Sequence, residues 1–210
     1  MSSFYSKEFK EAIANLPSKE KDKLILRLLK RDLPLINRLT YELLDNNSIE
    51  ERRESLKDKL ASGVAYMQRT NSVGQYLMEV RYLSGLINDH VFITKDKFGQ
   101  AYYSLWLVNE VLEQNSDLLN RATNFKVRKF NVYLIAKVYK ILGWIQKLHE
   151  DFALEFEDEL KRLGKLINSN PFMASLAAEN ELDITWLLSC EIPENIAQIE
   201  KEVRKVGGLK

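Results

Sequence analysis

The chain has 210 residues, 45% of them hydrophobic, with one cysteine and 31 basic against 30 acidic side chains. That apolar fraction excludes intrinsic disorder. The lone cysteine excludes a disulfide framework and a multi-cysteine zinc site, and a net charge of +1 excludes whole-surface attraction to nucleic acid or membrane.

Eight glycines and four prolines are about half the usual share, so elements are long and turns few. The N-terminus, Met1-Ser2-Ser3-Phe4-Tyr5-Ser6-Lys7-Glu8, lacks the basic-then-apolar order of a signal peptide. The first predicted helix runs from Lys7 to Asn15 and ends before Pro17, since a residue preceding proline is pushed out of helical geometry. Ser18 opens a second helix to Lys30, with Leu24, Ile25, Leu28 and Leu29 on one face. Asp32 and Pro34 open a third through Leu44, with Leu35, Ile36, Leu39 and Leu43 inward. Residues 7–45 thus read as one unit of a helical-hairpin array.

Ser48 begins a capping box with Glu51. The helix behind it carries Ile49, Leu56, Leu60, Val64 and Met67 as a narrow stripe among charges. Such a stripe predicts a peripheral helix and a candidate face for a partner. Ser72 precedes the next helix, with Val73, Tyr76, Leu77, Val80, Leu83 and Ile87. Phe98 or Gly99 begins a strongly apolar one to about Asn120. Pro171 starts a short helix, Ile184–Leu188 another, and Pro193 opens the last, to about Lys205.

Between them lies a proline-free run, 124–168, interrupted only by Gly143 and Gly164. From Leu118 to His149 the chain holds seven bases and no acid, whereas 150–159 hold six acids and no base. At about 100° per residue, Lys126, Lys129, Tyr133, Lys137, Lys140, Trp144 and Lys147 share one stripe. The stripe continues in phase through Asp151, Glu155, Asp158, Arg162 and Lys165, which favours one long central helix. About 45 residues of helix span roughly 67 Å, beyond the roughly 43 Å diameter of a compact chain this long. Either the molecule is elongated or the helix breaks, and a central helix with a bend between about Gly143 and Asp151 is the favoured form.

Three readings fit the stripe. Its lysines would hold phosphates while Tyr133 and Trp144 stack on bases; or it is the wet edge of a core helix; or it pairs with the acids of the helix behind Ser48. The longest apolar run, Tyr133–Ile145, is 13 residues with two lysines, short of the about 20 a bilayer requires. No membrane partner and a cytoplasmic location are expected.

Metal chemistry has few ligands to draw on. Neither His90 nor His149 has a glutamate three residues earlier. His149 leans to the apolar side as a core histidine, His90 sits near a helix end, and Cys190 reads as packing. Two carboxylate pairs stand one turn apart, Glu51 with Glu54 and Glu155 with Asp158. Each can share Mg²⁺. They resemble the metal motifs of all-helical nucleotide pyrophosphohydrolases, including dimeric deoxyuridine triphosphatases, although here about 100 residues separate the pairs.

Leu16-Pro17-Ser18-Lys19-Glu20-Lys21-Asp22-Lys23-Leu24 and Glu191-Ile192-Pro193-Glu194-Asn195-Ile196 resemble a group of small all-helical bacterial proteins of unassigned function. Some carry a deoxyuridine triphosphate nucleotidohydrolase label. The resemblance implies a helical fold and, under that label, Mg²⁺. The expectation is an all-α domain over 1–210, of eight or nine helices around 124–168. It serves as a non-catalytic interaction or scaffold protein or self-associates, without cofactor. Alternatives are a nucleotide or nucleic-acid binder using the stripe, and the Mg²⁺-dependent hydrolase.

Overall fold

The structure, a computed structural model of the chain, describes residues 5–70, 72–114 and 125–209. Among them are eleven α-helices and no strand, more than the eight or nine expected. The chain divides into two compact units, 1–46 and 47–210, where one domain with a subunit over 7–45 was expected.

The first unit holds α1 (Lys7–Ala14), α2 (Ser18–Leu29) and α3 (Leu33–Leu44). Ser6 Oγ accepts from the Phe9 N–H and Asp32 Oδ1 from the Leu35 N–H, so α1 and α3 begin on side-chain caps. None of the three helices buries a residue.

The second unit holds α4 (Ile49–Met67), α5 (Val73–Thr94), α6 (Lys97–Gln114), α7 (Phe125–Ile145), α8 (Ala153–Ser169), α9 (Pro171–Glu179), α10 (Thr185–Ser189) and α11 (Ile196–Lys205). The capping box forms: the Glu51 N–H donates to Ser48 Oγ at 3.1 Å and the Ser48 N–H to Glu51 Oε2 at 2.7 Å. The α4 stripe Leu56, Leu60, Val64 and Met67 is buried against α5 and α6, so it offers no open face to a partner. Helix α6 lies against α4, α5, α7 and α8; α9 and α10 pack on α8, and α11 on α7.

The 124–168 run is broken in the region expected to bend, between Gly143 and Asp151. Helix α7 ends at Ile145, a short 3₁₀ turn spans Glu150–Phe152, and α8 follows at Ala153. Gln146 Nε2 donates to the Pro193 carbonyl at 2.8 Å, and His149 Nδ1 accepts from the Asp151 N–H at 3.3 Å. His149 is therefore an exposed cap and not a core residue. The break lets α7 and α8 both lie against α6, which one straight rod could not do. The phase shared by the stripe and the downstream acids is thus no sign of a continuous helix.

Candidate functional site

Helix α7 is buried over most of its circumference: Phe130, Leu134, Ile135, Val138, Ile141 and Leu142 are wholly enclosed. What remains is a narrow edge flanked by α5 and α11. Along it runs a groove of about 380 Å³, within the roughly 300–1,000 Å³ range of small-molecule sites. Helix α5 contributes Leu77, Arg81, Ser84 and Asn88, whose spacing puts them on one face. Helix α7 contributes Lys129, Tyr133, Lys137, Lys140 and Trp144, while Arg204 of α11 and Leu209 of the tail complete the wall. Five cations line the groove and no acidic side chain does.

Five of the seven stripe residues therefore meet in one place. The other two do not: Lys126 and Lys147 are exposed and outside the groove lining. Arg81 and Arg204 come from other helices, so the periodicity of α7 alone gave no sign of them. The signal for Arg81 lay in its register with Ser84 and Asn88.

Local partners hold these cations in place. The Arg81 guanidinium lies 5.5 Å from the centre of the Tyr133 ring, a cation–π distance. Arg204 donates to Glu200 Oε1 at 2.8 and 3.0 Å. Lys137 is 8% exposed. Its Nζ donates to Ser84 Oγ at 2.8 Å, and Ser84 Oγ donates in turn to the Val80 carbonyl at 2.6 Å. Among the described residues no ion pair involves Lys129, Lys137 or Lys140. Burial, reinforced by the Lys140 charge, pushes the Lys137 amine down to about 8. The reading of the stripe as the wet edge of a core helix holds at Lys126, Lys129, Lys140 and Lys147, which are exposed, and not at Lys137, which is buried.

The groove adjoins a second cleft of about 490 Å³ that shares Lys129, Val132 and Leu209. There Arg128 Nη2 donates to Glu179 Oε2 at 2.7 Å, so this cleft has mixed charge.

The carboxylate pairs stay apart. Among the described residues no group of three or more His, Cys, Asp or Glu could hold a metal ion. Glu51, Glu54, Glu155 and Asp158 all lie within those residues, and Glu51 is engaged in its capping box. His90 is buried with its Nε2 3.1 Å from Asp96 Oδ2, a pairing its place near a helix end does not announce. Cys190 is half-buried, and burial raises its thiol, in keeping with packing.

No family model, curated protein or solved structure matches the chain. No helix of the described residues is long and apolar enough to cross a membrane.

Proposed function

We propose that the chain binds a nucleotide or a nucleic acid through the groove between α5, α7 and α11. The observation that carries this reading is the acid-free lining: Arg81, Lys129, Lys137, Lys140 and Arg204 converge on one cavity that also holds Tyr133 and Trp144. Point charges of this kind meet phosphates, and an aromatic face stacks on a base. The test is thermal unfolding at low salt across nucleotides and a short oligonucleotide, with and without Mg²⁺. A ligand at 100 times its Kd adds about 2.7 kcal/mol. Binding weakens steeply with salt, and Lys129→Ala or Lys140→Ala each lower the salt slope by about one. Binding indifferent to salt overturns the proposal. Mg²⁺-dependent release of pyrophosphate from deoxyuridine triphosphate would favour the hydrolase resemblance instead.

The second reading is a non-catalytic interaction protein. It is supported by α1–α3, which bury no residue and expose Ile25, Leu26, Leu28, Leu33, Leu43 and Leu44. Exposed apolar surface of that kind suits a partner or a second copy. Size-exclusion chromatography with light scattering tests self-association; a monomer at all concentrations removes the second-copy version.

A further inference from the structure

One lysine of the groove differs from its neighbours. Lys129 and Lys140 are exposed, as befits charges that attract an anion. Lys137 sits beneath them, nearly enclosed, yet its side chain still forms part of the groove wall. No carboxylate partners it among the described residues. Its hydrogen-bond partner is a hydroxyl, Ser84 Oγ at 2.8 Å. A lysine kept only to attract anions has no need of burial, since burial disfavours its charge.

We infer that Lys137 is a covalent centre of the groove: its amine condenses with an aldehyde or ketone on a phosphate-bearing ligand, whose phosphate rests on the surrounding cations, to form an imine. The inference rests on the anion-binding reading and names the ligand class that suits it. A desolvated lysine beside another cation is the usual arrangement of an imine-forming amine. The charged and titratable groups facing it are Arg81 of α5, Lys129, Tyr133 and Lys140 of α7, and Arg204 of α11, the last matched by Glu200. Burial, and then the Lys140 charge, act to release the Lys137 proton. With the amine near 8, roughly a tenth is neutral at pH 7, against roughly one part in three thousand for an ordinary lysine.

The step balances without an oxidant or reductant. The neutral nitrogen bonds to the carbonyl carbon, and the carbonyl oxygen takes up a proton. The resulting carbinolamine loses its hydroxyl, with one further proton, as water, leaving a carbon–nitrogen double bond. Ser84 is a positioning residue: its hydroxyl fixes the amine and provides a relay for the proton. The Trp144 and Tyr133 rings give the ligand's body an apolar wall.

The test uses the full chain and pyridoxal 5′-phosphate as a phosphate-bearing aromatic aldehyde. The imine is trapped by borohydride and located by peptide mass mapping. Lys137 is expected to be labelled at least about tenfold faster than Lys140 or Lys129, with the rate rising towards pH 8. Excess inorganic pyrophosphate suppresses the label. Lys137→Arg abolishes it, because a guanidinium forms no such imine here. Lys137→Met is the parallel variant if arginine does not fit. Ser84→Ala slows labelling of Lys137 and leaves the slower labelling of Lys129 and Lys140 as it was. Label spread over the exposed lysines with Lys137 unmodified overturns the imine and leaves the anion-binding reading intact. Loss of pyrophosphate stabilisation in the unmodified chain overturns the anion-binding reading itself.

Discussion

Arg53 of α4 grips Asp96, 43 residues later, with two parallel hydrogen bonds: Nε to Oδ2 and Nη2 to Oδ1, both 2.7 Å. The same carboxylate lies 3.1 Å from His90 Nε2 and accepts the Gly99 N–H at 2.8 Å. Asp96 thus caps α6 while binding α4 and α5 to its head. The Arg53 guanidinium also lies 5.0 Å from the Phe98 ring centre, and Phe98 packs beside Phe152 and Phe156 at 5.3 Å each.

Burial by itself would raise the Asp96 carboxyl, but the bonds from Arg53, His90 and Gly99 outweigh it and hold the group well below the usual carboxylate range. A carboxyl depressed by folding stabilises the protein above its unfolded value, about 3.9, and that stabilisation is lost as pH falls through the folded value. Asp96→Ala strands Arg53 and is expected to cost about 3 kcal/mol or more at pH 7. It should also flatten the acid side of the stability profile, as read by urea unfolding from pH 7 downward.

Lys137 carries the opposite sign. Its amine is lowered from 10.5 to about 8, so folding disfavours its charged form. The penalty is complete below pH 8 and is relieved as pH rises towards 10.5. It amounts to about 3 kcal/mol at neutral pH. Lys137→Met should gain a large part of that at pH 7 and lose the alkaline rise. Paired urea titrations at pH 7 and pH 10 check it: equal gains at both values would contradict the assignment.

Helices α8 and α10 meet at Gly164. A Cβ there would lie 2.8 Å from Leu188 Cδ2 and 3.2 Å from Leu187 Cβ, and Leu187 has no exposed surface through which to retreat. Gly164→Ala is expected to cost about 1–3 kcal/mol as overpacking, seen as a lower denaturation midpoint with unchanged slope.

Among the described residues the buried hydrophobic side chains all lie between Leu56 and Leu209. A chain of residues 47–210 is therefore expected to unfold cooperatively, with a melting midpoint within roughly 3 °C of the full chain. Residues 1–46 alone are expected to show little helix by circular dichroism when dilute, since so short a chain without a core does not stay folded. A stable, helical fragment 1–46 at low concentration would refute this.

Local chemistry made the helices legible. Ser48 with Glu51, Asp32 with Pro34, and Pro171 each mark a start, and the structure begins α4, α3 and α9 there. The stripe on α7 was also readable, because Lys129, Tyr133, Lys137, Lys140 and Trp144 keep helical spacing within one element. Contacts between elements left no such trace. Nothing local joins Arg53 to Asp96 or Arg81 to Tyr133, and the cap at Asp96 has as its local sign only an aspartate preceding an apolar run. The break after Ile145 was visible only as a conflict of lengths. A distant partner meets the chain there: the Pro193 carbonyl accepts from Gln146 Nε2.

That unwound stretch from Gln146 to His149 is also an electrical divide. Had α7 continued unbroken, Asp151, Glu155 and Asp158 would have extended the lysine edge and placed negative charge at the mouth of the groove. Turning the chain there assigns the acids to another helix, so one nearly neutral polypeptide presents a locally positive hollow without carrying a surplus of positive charge.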